Sequence, residues 1–163
     1  MDALDRRILT ELQRDASLTN AKLAVALDLS PSAMSERVRR LEQEGHIMGY
    51  RALINPASFG LGLQAFVAAV LNHHGTESIE SFENGIAEIG AVRACYHVAG
   101  RFDYLLHVAL RDLEHLGQLI KHDIAAVPGV DKVETMLVYE EVKTDIGWPA
   151  SSELPEAPIS PEA

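Results

Sequence analysis

The sequence predicts an α+β protein of two units, three short helices followed by a layered domain of order βαββαβ. Residues 1–55 hold eight acidic and eight basic side chains, whereas residues 56–163 hold sixteen acidic and six basic ones. Apolar residues recur at helical spacing as far as Gly45, and two similar helix–turn–strand segments follow from Ile86 onward. This shift in charge and periodicity indicates a domain boundary.

The bulk properties predict a globular cytoplasmic protein. The 163 residues are 47% hydrophobic, which is enough to form the core of one ordinary domain or two small ones. No apolar run has the length that a bilayer span requires, and the chain starts "MDALDRR" instead of with an apolar leader. The single cysteine, Cys95, agrees with a reducing compartment. Because the acidic C-terminal part repels polyanions, any nucleic-acid contact is expected in the N-terminal part.

The first two helices are predicted from caps and apolar spacing. Asp2 is the predicted N-cap of a helix that continues to about Arg14. Thr19 caps a second, very short helix in which Leu23 and Leu27 lie four residues apart. Asp28 interrupts that helix.

The third helix, from Ser30 to Gly45, has an apolar side and a polar side. Ser30 is in the cap position, Pro31 at the first helical position, and Gly45 at the end. At 100° per residue, one face holds Met34, Val38 and Leu41. The opposite face holds Ser32, Glu36, Arg39 and Gln43, with Arg40 at its edge. Two short helices of which the second is basic are typical of a helix-turn-helix.

The polar face of this helix supplies the candidate DNA contacts. Arg39 and Arg40 suit guanine edges or phosphates, and Glu36 suits a cytosine amino group. Ser30 and Ser32 suit phosphates at the helix N-terminus, and Ser35 completes the set. A solvent-facing helix with local ion pairs explains the same pattern equally well, so this helix alone leaves both interpretations open.

The segment "HIMGYRALINP" predicts a small β-ribbon wing with Ile47 and Tyr50 as strand residues, closed by Pro56. The predicted organisation is a helix-turn-helix domain over residues 1–50 and a wing and linker over 51–63. A ferredoxin-like domain over 64–146 and a disordered, acidic, proline-rich tail over 147–163 follow.

The predicted sheet is apolar on both faces. Cys95, Tyr104 and Leu106 line one face, and Tyr96 and Leu105 line the other. Two helices cover only one side of a four-stranded sheet, so the second apolar face requires a second copy of the chain. The residues therefore predict a homodimer, which would also present two recognition helices to DNA.

No catalytic or metal-binding pattern stands out. The seven histidines lack zinc-ligand spacing, and no nucleophile elbow or phosphate-binding loop is present in the sequence. We therefore expect neither an enzyme nor a metal or other cofactor. In the "AGRFDYL" turn, Gly100 permits a tight reversal and Asp103 places a carboxylate beside it. From the residues alone, a hairpin turn with an Asp–backbone bond is the simplest interpretation.

Several segments together resemble the Lrp/AsnC family of transcriptional regulators. They are "LDRRIL", "LDLSPSAMSERVRRLEQEGHIMGYRALINP", "GRFDYLL" and "PGVDKVETMLVYEEVK", and the likeness runs from about Asp2 to Lys143. Asp28 is a departure, because the family commonly has glycine in this turn; aspartate also tolerates the left-handed conformation.

The resemblance implies a DNA-binding regulator whose C-terminal domain assembles the oligomer and binds an amino acid or another small effector between dimers. Gly100 and Asp103 match the family's turn, and Tyr96, Thr135 and Met136 lie on adjoining strands. It also implies that dimers assemble into tetramers or octamers. Two alternatives remain at this stage: a metabolite-binding module whose N-terminal helices only contact partner proteins, and an architectural DNA protein without an effector.

Overall fold

The computed structural model describes residues 1–144 and 147–149, which form two units. The first unit comprises Met1–Leu53 and the described residues from Lys143 onward, and the second is Ile54–Val142. Among the described residues, no helix is long and apolar enough to cross a membrane.

The first unit contains the three predicted helices: α1 (Ala3–Arg14), α2 (Asn20–Ala26) and α3 (Pro31–Gln43). Asp2, Thr19 and Ser30 cap them, as predicted, each accepting a hydrogen bond from a backbone N–H in the first turn. Their apolar stripes meet in one core, whose fully buried members include Ile8, Leu23, Met34 and Leu41.

The two connections around α3 differ in how well the sequence predicted them. Asp28 has a φ of 55°, so it occupies the left-handed conformation that the turn requires. The predicted β-ribbon is wrong, since residues 46–55 contain no strand. Ile47 packs against the helical core instead, while Met48 and Leu53 are exposed. A ribbon needs a second strand to satisfy its backbone groups, and no described segment pairs with this one.

The second unit has the predicted order βαββαβ. After a 3₁₀ turn at Pro56–Phe59 its elements are β1 (Leu63–Leu71), α4 (Thr76–Ala87), β2 (Val92–His97), β3 (Tyr104–Leu110), α5 (Leu113–Gln118) and β4 (Val130–Leu137). A π-helical segment, Leu119–Ile124, extends α5. The strands form one antiparallel sheet of order β2-β3-β1-β4.

The register assigns each strand residue to one of two faces. Val67 lies opposite Leu106, and these residues pack with the helices in the core, together with Phe82 of α4. On the other face Phe66 lies opposite His107, and their rings stack with centroids 5.1 Å apart. No helix of this unit covers that second face in the described residues. We call it the open face; beside Phe66 and His107 it carries Ala68, Tyr96, Leu105 and Met136.

The last described residues lie against α1. The side-chain amide of Gln13 donates to the carbonyl of Trp148 at 3.1 Å and accepts from its N–H at 2.5 Å. This segment falls within the predicted tail, but at residues 147–149 the structure includes it in the helical unit. The predicted tail from residue 150 onward lies outside the described residues.

Candidate functional site

The outward face of α3 presents the residues that the sequence singled out. Met34, Val38 and Leu41 are buried, whereas Ser32, Ser35, Glu36 and Arg39 are exposed on the opposite side. The apolar side fixes the helix in the unit, so the exposed side meets solvent. The sequence therefore predicted correctly which side of the helix is buried and which is exposed.

The serines at the start of α3 are partly engaged with each other and with neighbouring groups. Ser30 Oγ accepts from the N–H of Ala33 at 3.3 Å and lies 3.2 Å from Ser32 Oγ. Ser35 Oγ accepts from Asn20 Nδ2 at 3.4 Å. Hydroxyl groups both donate and accept, so these serines retain capacity for a phosphate oxygen.

Arg39 lies between two polar neighbours on the exposed face. Its guanidinium pairs with Glu36 at 2.5 Å and donates to Gln43 Oε1 at 2.9 Å. The hydrogen bond from Arg39 lowers the pKa of Glu36. Because both side chains of the pair are more than half exposed, the pair is weak, and a nucleic acid can compete for either partner.

Arg37 and Arg40 do not pair with Glu36 but with the carboxylate of Asp5. Asp5 of α1 is 1% exposed, and its carboxylate accepts from Arg37 Nη1 at 2.7 Å and from Arg40 Nη2 at 2.8 and 2.9 Å. Arg37 also pairs with Asp2 at 2.8 Å. We call these four residues the Asp5 cluster. It links the first turn of α1 to α3, and it engages Arg40, a candidate DNA contact.

The electrostatics of the Asp5 cluster favour the ionised carboxylate. Burial acts to raise the pKa of Asp5, but hydrogen bonds from the backbone of Asp2 and from Arg37, with the charge of Arg40, lower it overall. Asp2 has a pKa of about 2, chiefly because it accepts from the Asp5 N–H and from Arg37. The sequence contained a signal for the burial of Asp5. This residue lies three positions before Ile8 and seven before Leu12, so a charged side chain falls on the apolar side of α1.

Sequence reasoning also missed a cleft beside α3. It has a volume of about 360 Å³, and its lining includes Asn20, Ser35, Arg39 and Tyr50. The Tyr50 hydroxyl donates to Glu42 Oε1 at 2.9 Å, and burial together with this carboxylate raises the pKa of Tyr50 to about 12. The tyrosine therefore fixes the segment after α3 against the helix. Asn20 and Tyr50 are additional polar groups at the edge of the exposed face.

In the second unit, the β2–β3 turn brings Gly100 and Asp103 together as predicted. Gly100 has a φ of 144°, a conformation that favours glycine. Asp103 Oδ2 accepts from the N–H of Leu71 at 2.7 Å, and Oδ1 lies 3.0 Å from His74 Nε2. The bond from Leu71 is the main cause that lowers the pKa of Asp103. Asp103 therefore ties the turn to the end of β1 and is anionic, as a contact to an ammonium group requires.

Of the other three candidate effector residues, Tyr96 lies near the turn, because it is opposite Leu105, two residues after Asp103. Tyr96 lies on β2 and Met136 on β4, the two opposite edges of the sheet. Thr135 lies opposite Val67, so it belongs to the helix-covered face, whereas Met136 lies opposite Phe66 on the open face. A site that contains all five residues therefore requires more than one copy of the chain.

The described residues contain no group of three His, Cys, Asp or Glu side chains that could hold a metal ion. His107 lies 2.8 Å from Gln64 Oε1 and stacks on Phe66, and His97 stacks on Tyr104 with centroids 4.6 Å apart. Both imidazoles therefore contact neighbouring side chains of the sheet.

Comparison with known proteins identifies both units. Residues 1–48 match a winged helix-turn-helix DNA-binding family, and residues 64–148 match the Lrp/AsnC ligand-binding domain. The leucine-responsive regulatory protein of Escherichia coli is 38% identical over 143 residues, which are 88% of this chain and 87% of that protein.

Solved structures agree with this assignment along almost the whole chain. A transcriptional regulator of Neisseria meningitidis in complex with L-Met has a TM-score of 0.88 at 30% identity, covering 94% of this chain and 99% of that one. An AsnC-family regulator of Agrobacterium tumefaciens has a TM-score of 0.87 at 30% identity, covering 94% and 100%. The chain belongs to the Lrp/AsnC family of transcriptional regulators, with a DNA-binding helix-turn-helix domain and a ligand-binding domain, and it is not an enzyme.

Proposed function

We propose that this regulator contacts duplex DNA with the exposed face of α3 and binds an amino acid beside the β2–β3 turn of an assembled oligomer. The observation that carries the first part is the two-sided character of α3. Its apolar side is buried to 5% exposure or less, whereas its polar side is exposed from Ser30 through Ser32, Ser35 and Glu36 to Arg39. The proposed contacts are Ser30, Ser32, Ser35, Glu36 and Arg39, and Arg40 would reach a phosphate only on leaving the carboxylate of Asp5.

The members of this set have different roles. Arg39 is placed to read a base, since an arginine can donate two parallel hydrogen bonds to guanine. The serines suit phosphate oxygens. Once Arg39 has left Glu36 to bind a base, the carboxylate of Glu36 suits a hydrogen-bond donor on another base. Arg40 lies at the edge of the face, where Asp5 also holds it.

The amino-acid effector is supported by the chemistry of the turn and by the relatives. The carboxylate of Asp103 suits an α-ammonium group, and backbone N–H groups near Gly100 suit an α-carboxylate. One relative is named a leucine-responsive regulator, and one structural neighbour was solved with L-Met. Tyr96, Thr135 and Met136 complete the proposed site across copies of the chain.

The open face supports assembly as a homodimer. Phe66, Leu105 and Met136 form an apolar surface on the side of the sheet opposite the helices. Burying that surface against a second copy removes apolar area from water and presents two recognition helices. Higher assembly to a tetramer or octamer would bring the edges of different sheets together around the effector. The cytoplasm is the compartment we propose for the protein.

The DNA-binding proposal is tested by selecting bound duplexes from a random library with the full-length protein. The selected duplex is then titrated at several salt concentrations beside a scrambled duplex of the same composition. We expect a selected consensus with two-fold symmetry and an affinity that decreases with salt. Equal binding to both duplexes would favour an architectural DNA protein, and no binding at low salt would favour a module that binds only metabolites.

The effector proposal is tested by calorimetric titration of the full-length protein with each proteinogenic amino acid in turn. We expect heat of binding from at least one amino acid, with apolar side chains favoured because Met136 and Tyr96 would line the site. If none of the amino acids binds, the amino-acid part of the proposal is wrong while the DNA-binding part stands.

A further inference from the structure

We propose that Asp5 is a positioning residue that holds Arg37 and Arg40 of α3 away from DNA, so that Arg39 is the arginine of this run that faces the duplex. This inference rests on the proposed DNA-binding function. It adds a residue of α1 that limits non-specific phosphate binding by the recognition helix.

The first support is the burial and saturation of the carboxylate. Asp5 is 1% exposed, and both its oxygens are occupied. Oδ1 accepts from Arg37 and Arg40, and Oδ2 accepts from Arg40 and from the N–H of Asp2 at 2.8 Å. A buried ion pair with satisfied hydrogen bonds is expensive to open, because opening it strands the charge that remains buried.

The second support is the contrast with Arg39. Its partner Glu36 is 66% exposed, whereas the carboxylate shared by Arg37 and Arg40 is 1% exposed. Water reaches both members of the first pair, whereas in the second pair it reaches Arg40 but not the carboxylate of Asp5. DNA can therefore displace Glu36 from Arg39 at small cost, while a phosphate that competes for Arg40 must leave Asp5 without one of its cations.

The third support is the position of Arg40. Its side chain is 43% exposed at the edge of the polar face, so it needs only a change of partner to reach a phosphate. Arg37 is 27% exposed and is held by Asp2 as well. When Asp5 loses its charge, Arg40 is therefore the side chain that gains most freedom.

The consequence is measurable as a salt dependence. Each further phosphate that a protein contacts makes the slope of log affinity against log salt steeper by about 0.9. Between about 50 and about 200 mM salt this corresponds to roughly a 3- to 4-fold additional loss of affinity. A residue that only stabilised the fold would change the melting temperature and leave this slope unchanged.

The test uses full-length protein and a fluorescent random-sequence duplex, so that only phosphate contacts are measured. Asp5→Asn is compared with Asp15→Asn, which removes the same charge from an exposed aspartate of the same unit. The carboxylate of Asp15 accepts from the N–H and the hydroxyl of Ser17. We expect a steeper slope for Asp5→Asn and a wild-type slope for Asp15→Asn. A slope that steepens equally in both variants would reflect net charge alone and would overturn the proposal.

A second pair keeps the test valid if Asp5→Asn does not fold. The double variant Asp5→Asn with Arg37→Gln removes one negative and one positive charge from the cluster, and it is compared with Arg37→Gln alone. The two proteins differ at residue 5 alone, in its charge and in whether it can hold Arg40, and Asp15→Asn measures the part that is due to charge. We expect the double variant to have the steeper slope by about 0.9 per contacting helix.

Equal slopes in this pair, measured on variants that melt cooperatively, would show that Asp5 does not control access of Arg40 to DNA. Failure of the underlying function gives a different result. If wild-type protein does not bind the duplex at low salt, while the amino-acid titration succeeds, the DNA-binding proposal itself is wrong.

Discussion

At the scale of single residues, three nearby arginines of one helix have two kinds of environment. Arg37 and Arg40 share a buried carboxylate, and Arg39 pairs with an exposed one. The helical repeat explains this division, because positions three apart lie on the same side of a helix, whereas Arg39 projects away from Arg37. Adjacent residues of the same type therefore differ in environment, and we propose a role in recognition for Arg39 alone.

Replacing Arg39 by alanine tests its role in reading DNA. We expect specific binding to the selected duplex to weaken by about 1–3 kcal/mol, with little change in binding to the scrambled duplex. The measurement is fluorescence anisotropy on both duplexes. Arg14→Ala is a matched control, since Arg14 also pairs with a glutamate three residues away on an exposed helix surface. Equal effects of the two substitutions would remove Arg39 from the recognition set.

Asp103 has both a structural contact and a proposed ligand contact, so its loss should have two effects. Asp103→Ala leaves the N–H of Leu71 without its partner, which we expect to destabilise the protein by about 1–3 kcal/mol. It also removes the carboxylate for an effector ammonium, which costs on the order of 2–5 kcal/mol of effector affinity. Thermal melts and calorimetric titration measure the two effects separately.

His74→Ala separates these roles, because it frees Oδ1 of Asp103 while Oδ2 keeps its bond to the N–H of Leu71. If Asp103 holds the ammonium, this variant retains effector binding that Asp103→Ala loses. If both variants still bind the effector, Asp103 has only the structural role of stabilising the turn.

At the scale of elements, connections follow from backbone conformation as much as from residue type. The turn between α2 and α3 needs a left-handed residue, and Asp28 supplies it with a φ of 55°. Residues 46–55 show the opposite case, because their sequence has the alternating pattern of a strand but the segment forms no strand. A strand requires a pairing partner, which a local pattern cannot specify.

The conformation of Asp28 predicts an order of stabilities at this position. Asp28→Ala should be less stable than Asp28→Gly by about 1 kcal/mol, because alanine has a steric cost in the left-handed region and glycine does not. Chemical denaturation of both variants measures the difference. The reverse order would mean that the unfolded-state entropy of glycine outweighs the strain of the turn.

At the scale of the whole molecule, the helices of the second unit cover one face of the sheet and leave the other face open. The helices pack on Val67 and Leu106, while Phe66 and Leu105 lie on the open face. An apolar face of this kind is stabilised when a second copy removes it from water. The open face is therefore the surface through which we propose that the homodimer forms.

Light scattering tests the role of this face. We expect wild-type protein at micromolar concentration to have at least the mass of a dimer and Phe66→Glu to shift it toward the monomer, since the new charge would be buried in the interface. Leu113→Glu is a suitable control because Leu113 is 61% exposed at the start of α5. A monomeric wild type would contradict the dimer proposal.

Acid should destabilise the protein below about pH 4. The folded-state pKa values of Asp2, Asp5 and Asp103 lie below their ordinary values. Groups with a lowered pKa contribute their stability above the unfolded-state value, and that contribution is lost as the pH falls through the folded-state value. Melting temperatures measured from pH 7 down to pH 2 should therefore decrease mainly between pH 3.8 and about 2. A melting temperature that stays constant over this interval would contradict the assigned shifts.

Apart from the predicted β-ribbon, the sequence alone determined the order of helices and strands and the side of α3 that is exposed. Asp2, Thr19 and Ser30 are caps in the structure as the local residue pattern predicts, and apolar periodicity identified Met34, Val38 and Leu41 as core. These features depend on residues within a few positions of each other, so a single stretch of chain contains the information.

Only the tertiary structure decided which polar groups that are distant in the sequence meet. Asp5 and Arg40 are 35 residues apart, Leu71 and Asp103 are 32 apart, and Gln13 and Trp148 are 135 apart. Their pairing depends on how α1 packs on α3, how β1 ends beside the β2–β3 turn, and where the chain returns to the helical unit. Long-range packing brings these groups within hydrogen-bonding distance, and burial then makes the pairing of Asp5 strong, because the interior screens charge far less than water does.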